Sequence, residues 1–221
     1  MAPPALVIFD CDGVLVDSEP LSIRVLIETV REKGLELDQE TGYERFLGRS
    51  LATICKELDT AFGVTLDDAD LEALRRRLYA SFAAELQPIP GVDGALSRLE
   101  APFCVASSSQ PERIEFSLKV TGLWPSFEGR LFSATMVARG KPAPDLFELA
   151  AATMGQEAAA AVVVEDSPVG VQAAKAAGMR VVGFLGGSHA RRPAHRAAIL
   201  SMRPDAVIDD MATLPDLLAT L

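Results

Sequence analysis

Asp10 and Asp12 stand two residues apart, directly after the apolar run Leu6–Phe9 and just before Gly13. Two carboxylates this close repel each other and need a cation, a shared proton or hydrogen bonds to coexist. A divalent metal is the simplest answer. Three further clusters hold compatible groups. Ser107-Ser108-Ser109 follows the run Phe103–Ala106, Gly140-Lys141-Pro142 precedes a helix-like segment opened by Pro144 and Asp145, and Glu165-Asp166-Ser167 follows Ala161–Val164. Taken singly, each has an ordinary explanation. Serine clusters form turns and Lys-Pro pairs form loops. An acidic pair before Ser-Pro often forms a helix N-cap, because carboxylate and hydroxyl oxygens accept the free amides of the first turn.

Brought to one place, these groups suit phosphoryl transfer. A phosphate ester needs a metal to neutralise its oxygens, donors to hold them and a nucleophile in line with the leaving oxygen. On this reading Asp10 attacks phosphorus and forms an aspartyl-phosphate, which splits one hard hydrolysis into two easier steps. Asp12 protonates the leaving alcohol and then takes a proton from the attacking water. Asp166, helped by Glu165, completes an oxygen-only magnesium site. Ser107 and Lys141 hold phosphate oxygens, and Lys141 also offsets the excess negative charge.

These groups need a scaffold that gathers distant stretches. Short apolar runs rich in β-branched residues read as buried strands: Leu6–Phe9, Phe103–Ala106, Ala161–Val164, Arg180–Phe184 and Ala206–Ile208, with Leu131–Ser133 weaker. Helix-like segments alternate with them, among them Pro111–Thr121, Pro144–Met154 and Pro168–Ala177, each with a proline where helix entry allows one. Gly122, Gly155 and Gly178 follow where helices should end. This alternation predicts an α/β fold, a Rossmann-like parallel sheet with helices on both faces. Ligands of such sheets bind beyond the carboxyl ends of the strands, where the four clusters would converge.

One interval breaks the pattern. A crossover between parallel strands needs only a dozen or more residues, yet about ninety separate Asp10 from Phe103. The interval reads as helical. Pro20–Lys33 is apolar at Leu21, Val25, Ile27 and Val30, Ser50–Phe62 at Leu51, Ile54, Leu58 and Phe62, and Asp67–Leu86 at Leu71, Leu74, Leu78 and Phe82. These spacings keep one helix face apolar. Arg75-Arg76-Arg77 falls mostly on the opposite side and reads as a solvated face. Gln87-Pro88-Ile89-Pro90-Gly91 reads as the return linker. The chain is therefore expected to carry a helical cap over 18–87, inserted into a catalytic core made of 1–17 and 88–221.

Composition narrows the class. The 221 residues carry a formal net charge of −10, which disfavours nonspecific binding to nucleic acid or anionic membranes. No apolar run reaches the ~18–20 residues that span a bilayer, and no signal-peptide pattern opens the chain. Cys11, Cys55 and Cys104 lie far apart, which points to a reducing, cytoplasmic setting rather than a disulfide framework or zinc site. Alternation along a strand turns Cys11 away from the acids on either side. His189 and His195 are the only histidines, and neither has metal-ligand spacing. Gly186-Gly187-Ser188-His189 follows a strand and reads either as a rim of the pocket or, the reading preferred, as a flexible loop.

The four clusters, in this order and with a helical insertion behind the first, resemble the haloacid dehalogenase superfamily of phosphohydrolases with a small helical cap. Asp10-Cys11-Asp12-Gly13-Val14-Leu15-Val16-Asp17-Ser18 matches its first motif, Ser107 the second, Lys141-Pro142 the third and Glu165-Asp166-Ser167 the fourth. The resemblance implies that Asp10 is the nucleophile and Asp12 the general acid/base. It implies a magnesium ion held by Asp10, the Asp12 carbonyl and Asp166, with Glu165 adjoining. It also implies a hinge over Val14–Pro20 on which the cap opens and closes. The chain is most similar to the branch of sugar-phosphate phosphatases, including 6-phosphogluconate phosphatase-like members, and β-phosphoglucomutase. Arg49, Ser50 and Glu19 in the insertion, and Ser108 and Ser109 after the second strand, are its candidate substrate contacts. A histidine of the mutase corresponds here to Ser22, and the mutase's phosphate-binding cap arginine is not clearly matched, which favours net hydrolysis. A metal-free dehalogenase, a phosphate-accepting receiver domain and an inactive binding protein are the other readings. The second acid and the Glu165-Asp166 pair argue against the first, the long insertion against the second and the intact motifs against the third. The expected partner is a small phosphorylated metabolite, and the expected state a monomer or weak homodimer.

Overall fold

Leu6, Val7, Ile8 and Phe9 are all fully buried, as a strand with no polar side must be when helices cover both its faces. In the computed structural model, which describes residues 3–221, this run is β1 (Leu6–Phe9). With β2 (Phe103–Ser107), β3 (Leu131–Ser133), β4 (Ala161–Glu165), β5 (Arg180–Phe184) and β6 (Ala206–Ile208) it forms a parallel sheet ordered β3-β2-β1-β4-β5-β6. The chain builds outward from β1 to β3, then returns to add β4 on the other side of β1. The strand order thus reverses between β1 and β4. Such a switch point opens a crevice beyond the carboxyl ends of the strands, and Asp10 and Asp166 follow the two strands that flank it.

Backbone contacts divide the chain into two compact units, one spanning 18–86 and the other the rest. In the first, α1 (Glu19–Glu32), α2 (Gln39–Phe46), α3 (Leu51–Phe62) and α4 (Asp68–Glu85) carry buried apolar residues that include Val25, Leu58, Leu74, Leu78 and Phe82. Periodicity identified α1, α3 and α4 but not α2. That helix buries only Tyr43 and Phe46 as large apolar side chains, too few for a periodic stripe, and is started by its Asp38 cap, which accepts from the Thr41 N–H at 2.7 Å. Gly42 lets it approach α1, since a Cβ there would meet Ile23 and Ile27 at about 3 Å. Of the arginine run, Arg75 and Arg76 are exposed, whereas Arg77 is half-buried and reaches Glu32 of α1 at 2.7 Å.

In the sheet-bearing unit the helices are α5 (Val92–Arg98), α6 (Pro111–Val120), α7 (Trp124–Phe127), α8 (Asp145–Thr153), α9 (Pro168–Ala176), α10 (Pro193–Ser201) and α11 (Leu214–Leu218). Leu6, Ile8, Cys104, Ala106 and Val163 face one side of the sheet and pack with Phe147 and Ala150 of α8, Ala173 and Ala174 of α9 and Ile199 of α10. The small alanines let these helices lie close to the strands. On the other side Phe9, Phe103 and Phe127 meet edge to face, with ring centroids 5.3–6.3 Å apart. Where the chain leaves and rejoins this unit, its two passes run side by side. Asp17 N–H donates to the Gln87 carbonyl at 3.0 Å, and Ile89 N–H to the Leu15 carbonyl at 2.9 Å. Gln87 therefore belongs with the sheet rather than with the inserted helices.

Candidate active site

β1 ends at Phe9, and Asp10 is held beside β4 by its N–H, which donates to the Val164 carbonyl at 3.0 Å. Continuing the pairing register sets Asp10 alongside Glu165, the last residue of β4. Both acids are buried, and Lys141 joins them. Its Nζ donates to Asp10 Oδ1 at 2.8 Å, to Glu165 Oε1 at 2.7 Å and to the Ala106 carbonyl at 3.0 Å. The Lys141 side chain is 2% exposed and that of Glu165 0%. Phe147 packs under the ammonium, its ring centroid 4.8 Å from Nζ. A charge removed from water this completely must be paired and hydrogen-bonded, and Lys141 is both.

Glu165 is fastened at both oxygens. Oε2 accepts from the Ser167 N–H and hydroxyl, each at 2.9 Å. Ser167 Oγ in turn accepts from the Gly170 N–H at 3.1 Å and so caps α9. The capping role read from the sequence is therefore real, and the same serine also positions an acid. Asp10, Glu165 and Asp166 each bring a carboxylate oxygen within 4.8 Å of the others. Three carboxylic groups against one lysine make a cluster rich in oxygen donors, and donors of this kind suit a hard divalent cation. Burial pushes the Asp10 carboxyl well above the ordinary carboxylate range, against the pull of Lys141, and the charges of Glu165 and Asp166 push the same way. Burial alone would lower the Lys141 ammonium, but Asp10 and Glu165 overcome it and raise it, so the lysine stays charged.

Asp12 lies apart from this cluster in its bonding. Oδ2 accepts from the Ser109 hydroxyl at 2.7 Å, and Oδ1 lies 3.0 Å from Arg113 Nη2. Ser107 is buried and accepts from the Ser109 N–H through Oγ at 3.1 Å, Ser108 is exposed, and the Ser109 carbonyl accepts from Ser133 Oγ at 2.7 Å. The three serines thus divide: Ser107 shapes the turn, Ser109 holds Asp12 and Ser108 faces solvent. Sequence reasoning did not identify Arg113. A signal existed, because a cation in the first turn of a helix opposes the helix dipole and asks for an acidic partner.

Cys11 is buried, and burial together with Asp12 and Asp10 pushes its thiol well up, so it carries no nucleophilic thiolate. In the helical unit, Arg49 pairs with Glu57, Ser50 caps α3 by accepting from Thr53 N–H at 3.3 Å, and Glu19 occupies the first turn of α1. The expectation of a flexible loop at Gly186–His189 is corrected. Ser188 N–H and Oγ donate to Asp17 Oδ1 at 3.1 and 2.8 Å, and the buried His189 ring lies against Asp166.

The family described as haloacid dehalogenase-like hydrolase matches residues 4–178. Over 190 residues the chain is 35% identical to 6-phosphogluconate phosphatase from Escherichia coli, with 86% of each chain covered. A solved haloacid dehalogenase-like protein from Agrobacterium tumefaciens superposes with a TM-score of 0.86 at 37% identity, covering 98% of both chains. A haloacid dehalogenase-family hydrolase from Deinococcus radiodurans, solved with bound phosphate and sodium, superposes with a TM-score of 0.81 at 32% identity, covering 100% of this chain and 97% of that one.

Proposed function

The chain belongs to the haloacid dehalogenase-like hydrolase family, and on that premise we propose that it is a magnesium-dependent phosphatase acting on a small phosphorylated metabolite, a sugar phosphate, through an aspartyl-phosphate on Asp10. One observation carries the reading. A buried carboxylate at the switch point of the sheet is clamped by a buried lysine, and two further carboxylates lie within reach of one cation. The phosphate bound by the Deinococcus radiodurans relative and the sugar-acid phosphate named for the Escherichia coli relative support the substrate class.

Asp10, Asp166 and the main-chain carbonyl of Asp12 would hold the magnesium, with Glu165 adjoining. When bound, the ion neutralises carboxylate and phosphate oxygens together. Lys141 spends its three donors on Asp10, Glu165 and the Ala106 carbonyl, so it fixes the Asp10 carboxylate and acts on phosphate through its charge, while the Ser107 hydroxyl is left to donate to a phosphate oxygen. In the first step an Asp10 oxygen bonds to phosphorus as the bond from phosphorus to the leaving oxygen breaks, and Asp12 gives that oxygen its proton. In the second step Asp12 takes a proton from water, the water oxygen bonds to phosphorus, and inorganic phosphate leaves as the Asp10 carboxylate is restored. Ser109 and Arg113 hold Asp12 between these duties.

Ser22 makes an ordinary helix bond, its hydroxyl donating to the Ser18 carbonyl at 3.0 Å, which supports hydrolysis over a mutase reaction. Among the described residues all three cysteines are free thiols, in keeping with a cytoplasmic enzyme, and no helix is long and apolar enough to cross a membrane. The test is a panel of sugar phosphates assayed for phosphate release with and without magnesium. Turnover is expected only with the metal, and Asp10→Asn is expected to abolish it. Near-normal magnesium-dependent turnover by Asp10→Asn would overturn the assignment of the nucleophile.

A further inference from the structure

The chain has two histidines, and both lie on Asp166. His189 Nε2 is 2.8 Å from Asp166 Oδ2, with the imidazole 0% exposed. His195 Nε2, from the first turn of α10, is 2.7 Å from the Asp166 main-chain carbonyl. A carbonyl oxygen only accepts, so Nε2 carries the proton in that bond. The two rings meet edge to face with centroids 4.8 Å apart. The His189 ring therefore lies against the carboxylate at ion-pair distance without an aligned hydrogen bond, His195 holds the backbone of the same residue, and each ring braces the other.

The surroundings are shaped to admit this arrangement. A Cβ on Gly13 would lie 2.0 Å from Asp166 Oδ2 and 2.7 Å from His189 Cε1, and a Cβ on Gly187 would lie 2.7 Å from the same ring atom. The turn that carries His189 is pinned next door by the two bonds from Ser188 to Asp17. A buried imidazole fitted against two glycines is a specific way to hold one carboxylate oxygen. Holding one oxygen limits rotation about the Cβ–Cγ bond and so aims the other.

We propose that His189 and His195 are positioning residues that clamp Asp166 in the orientation a divalent cation requires, so that cation affinity depends on the ring at 189. The proposal rests on the reading of Asp166 as a metal ligand. Loss of a group that orients a metal ligand typically costs about 10–100-fold in metal affinity.

The test is calorimetric titration of magnesium chloride into the purified, metal-stripped protein, with circular dichroism as the check on folding. His189→Ala is expected to bind magnesium about tenfold or more weakly than the wild type. His189→Gln, which keeps an N–H donor, is expected to stay within about threefold of it on the same ground. If His189→Ala does not fold, His189→Phe fills the volume without a donor and carries the same expectation as alanine. Wild-type affinity in a folded His189→Ala or His189→Phe protein overturns the clamp, as does equal weakening by glutamine and alanine. Failure of the wild type itself to bind magnesium overturns the metal reading under Proposed function instead, so the two failures are distinct.

Discussion

Gly170→Ala is expected to do the opposite of what helix propensity dictates. Gly170 is the third residue of α9, where alanine should gain about 0.5–1 kcal/mol over glycine. Its Cβ, however, would lie 1.8 Å from Glu165 Oε1, 1.9 Å from Cδ and 2.3 Å from Oε2. Ordinary contact begins at 3.4 Å, so the carboxylate must retreat by about 1.6 Å. A surface glutamate would swing aside at little cost. Glu165 is fully buried and bonded to Lys141 and Ser167, so its retreat breaks bonds to charged groups worth about 1.5–3 kcal/mol each. With one such bond lost to each of Lys141 and Ser167, about 3–6 kcal/mol, and the propensity gain subtracted, a net loss of about 2–5 kcal/mol remains. At roughly 2–4 °C per kcal/mol for a chain of this size, the melting temperature should fall by about 4–20 °C. Lys141 loses one of its three acceptors at the same time, so kcat should fall by about tenfold. Thermal denaturation followed by circular dichroism, with phosphate release on the same preparations, reads both. In a Glu165→Ser background, which removes the clash, Gly170→Ala should become neutral or stabilising. An unchanged or raised melting temperature with full turnover in the single variant would refute the reasoning.

Two other perturbations separate the duties of the site. Lys141→Met leaves Asp10, Glu165 and Asp166 without their buried counter-charge, and kcat should fall by about 100- to 1,000-fold; a loss under tenfold in steady-state phosphate release would remove Lys141 from the chemistry. Arg113→Met frees Asp12 from one of the groups that hold it, so turnover of an alkyl phosphate should fall about tenfold while p-nitrophenyl phosphate, whose leaving group needs no proton, falls less. An equal fall for both substrates would count against Arg113 acting through proton transfer.

What could be read along the chain is what depends on short stretches of it. Leu6–Phe9 and Ala161–Val164 announce buried parallel strands because burial on both faces demands an unbroken apolar run. Strand ends in an open α/β sheet collect ligands, so Asp10, Glu165 and Asp166 stand out along the chain as candidates for chemistry. Where apolar spacing was weak, as in α2, the local reading lost the element. A cap bond at Asp38 and a close approach at Gly42 hold it, and neither shows as periodicity.

The allocation of partners belongs to the tertiary structure alone. Ser109 and Arg113 reach Asp12 from 97 and 101 residues away, and Lys141 reaches Asp10 from 131. Those distances close only through the order of the strands, which no local pattern encodes. The same holds for His189 and His195, whose placement on Asp166 follows from the turn after β5 folding back against the end of β4. Composition and spacing determined which groups are present and at which strand ends. The packing of the sheet decided which carboxylate is clamped by a lysine, which by an arginine and which by histidines, because a buried charge takes its properties from neighbours within a few ångströms, and distant parts of the chain supply them.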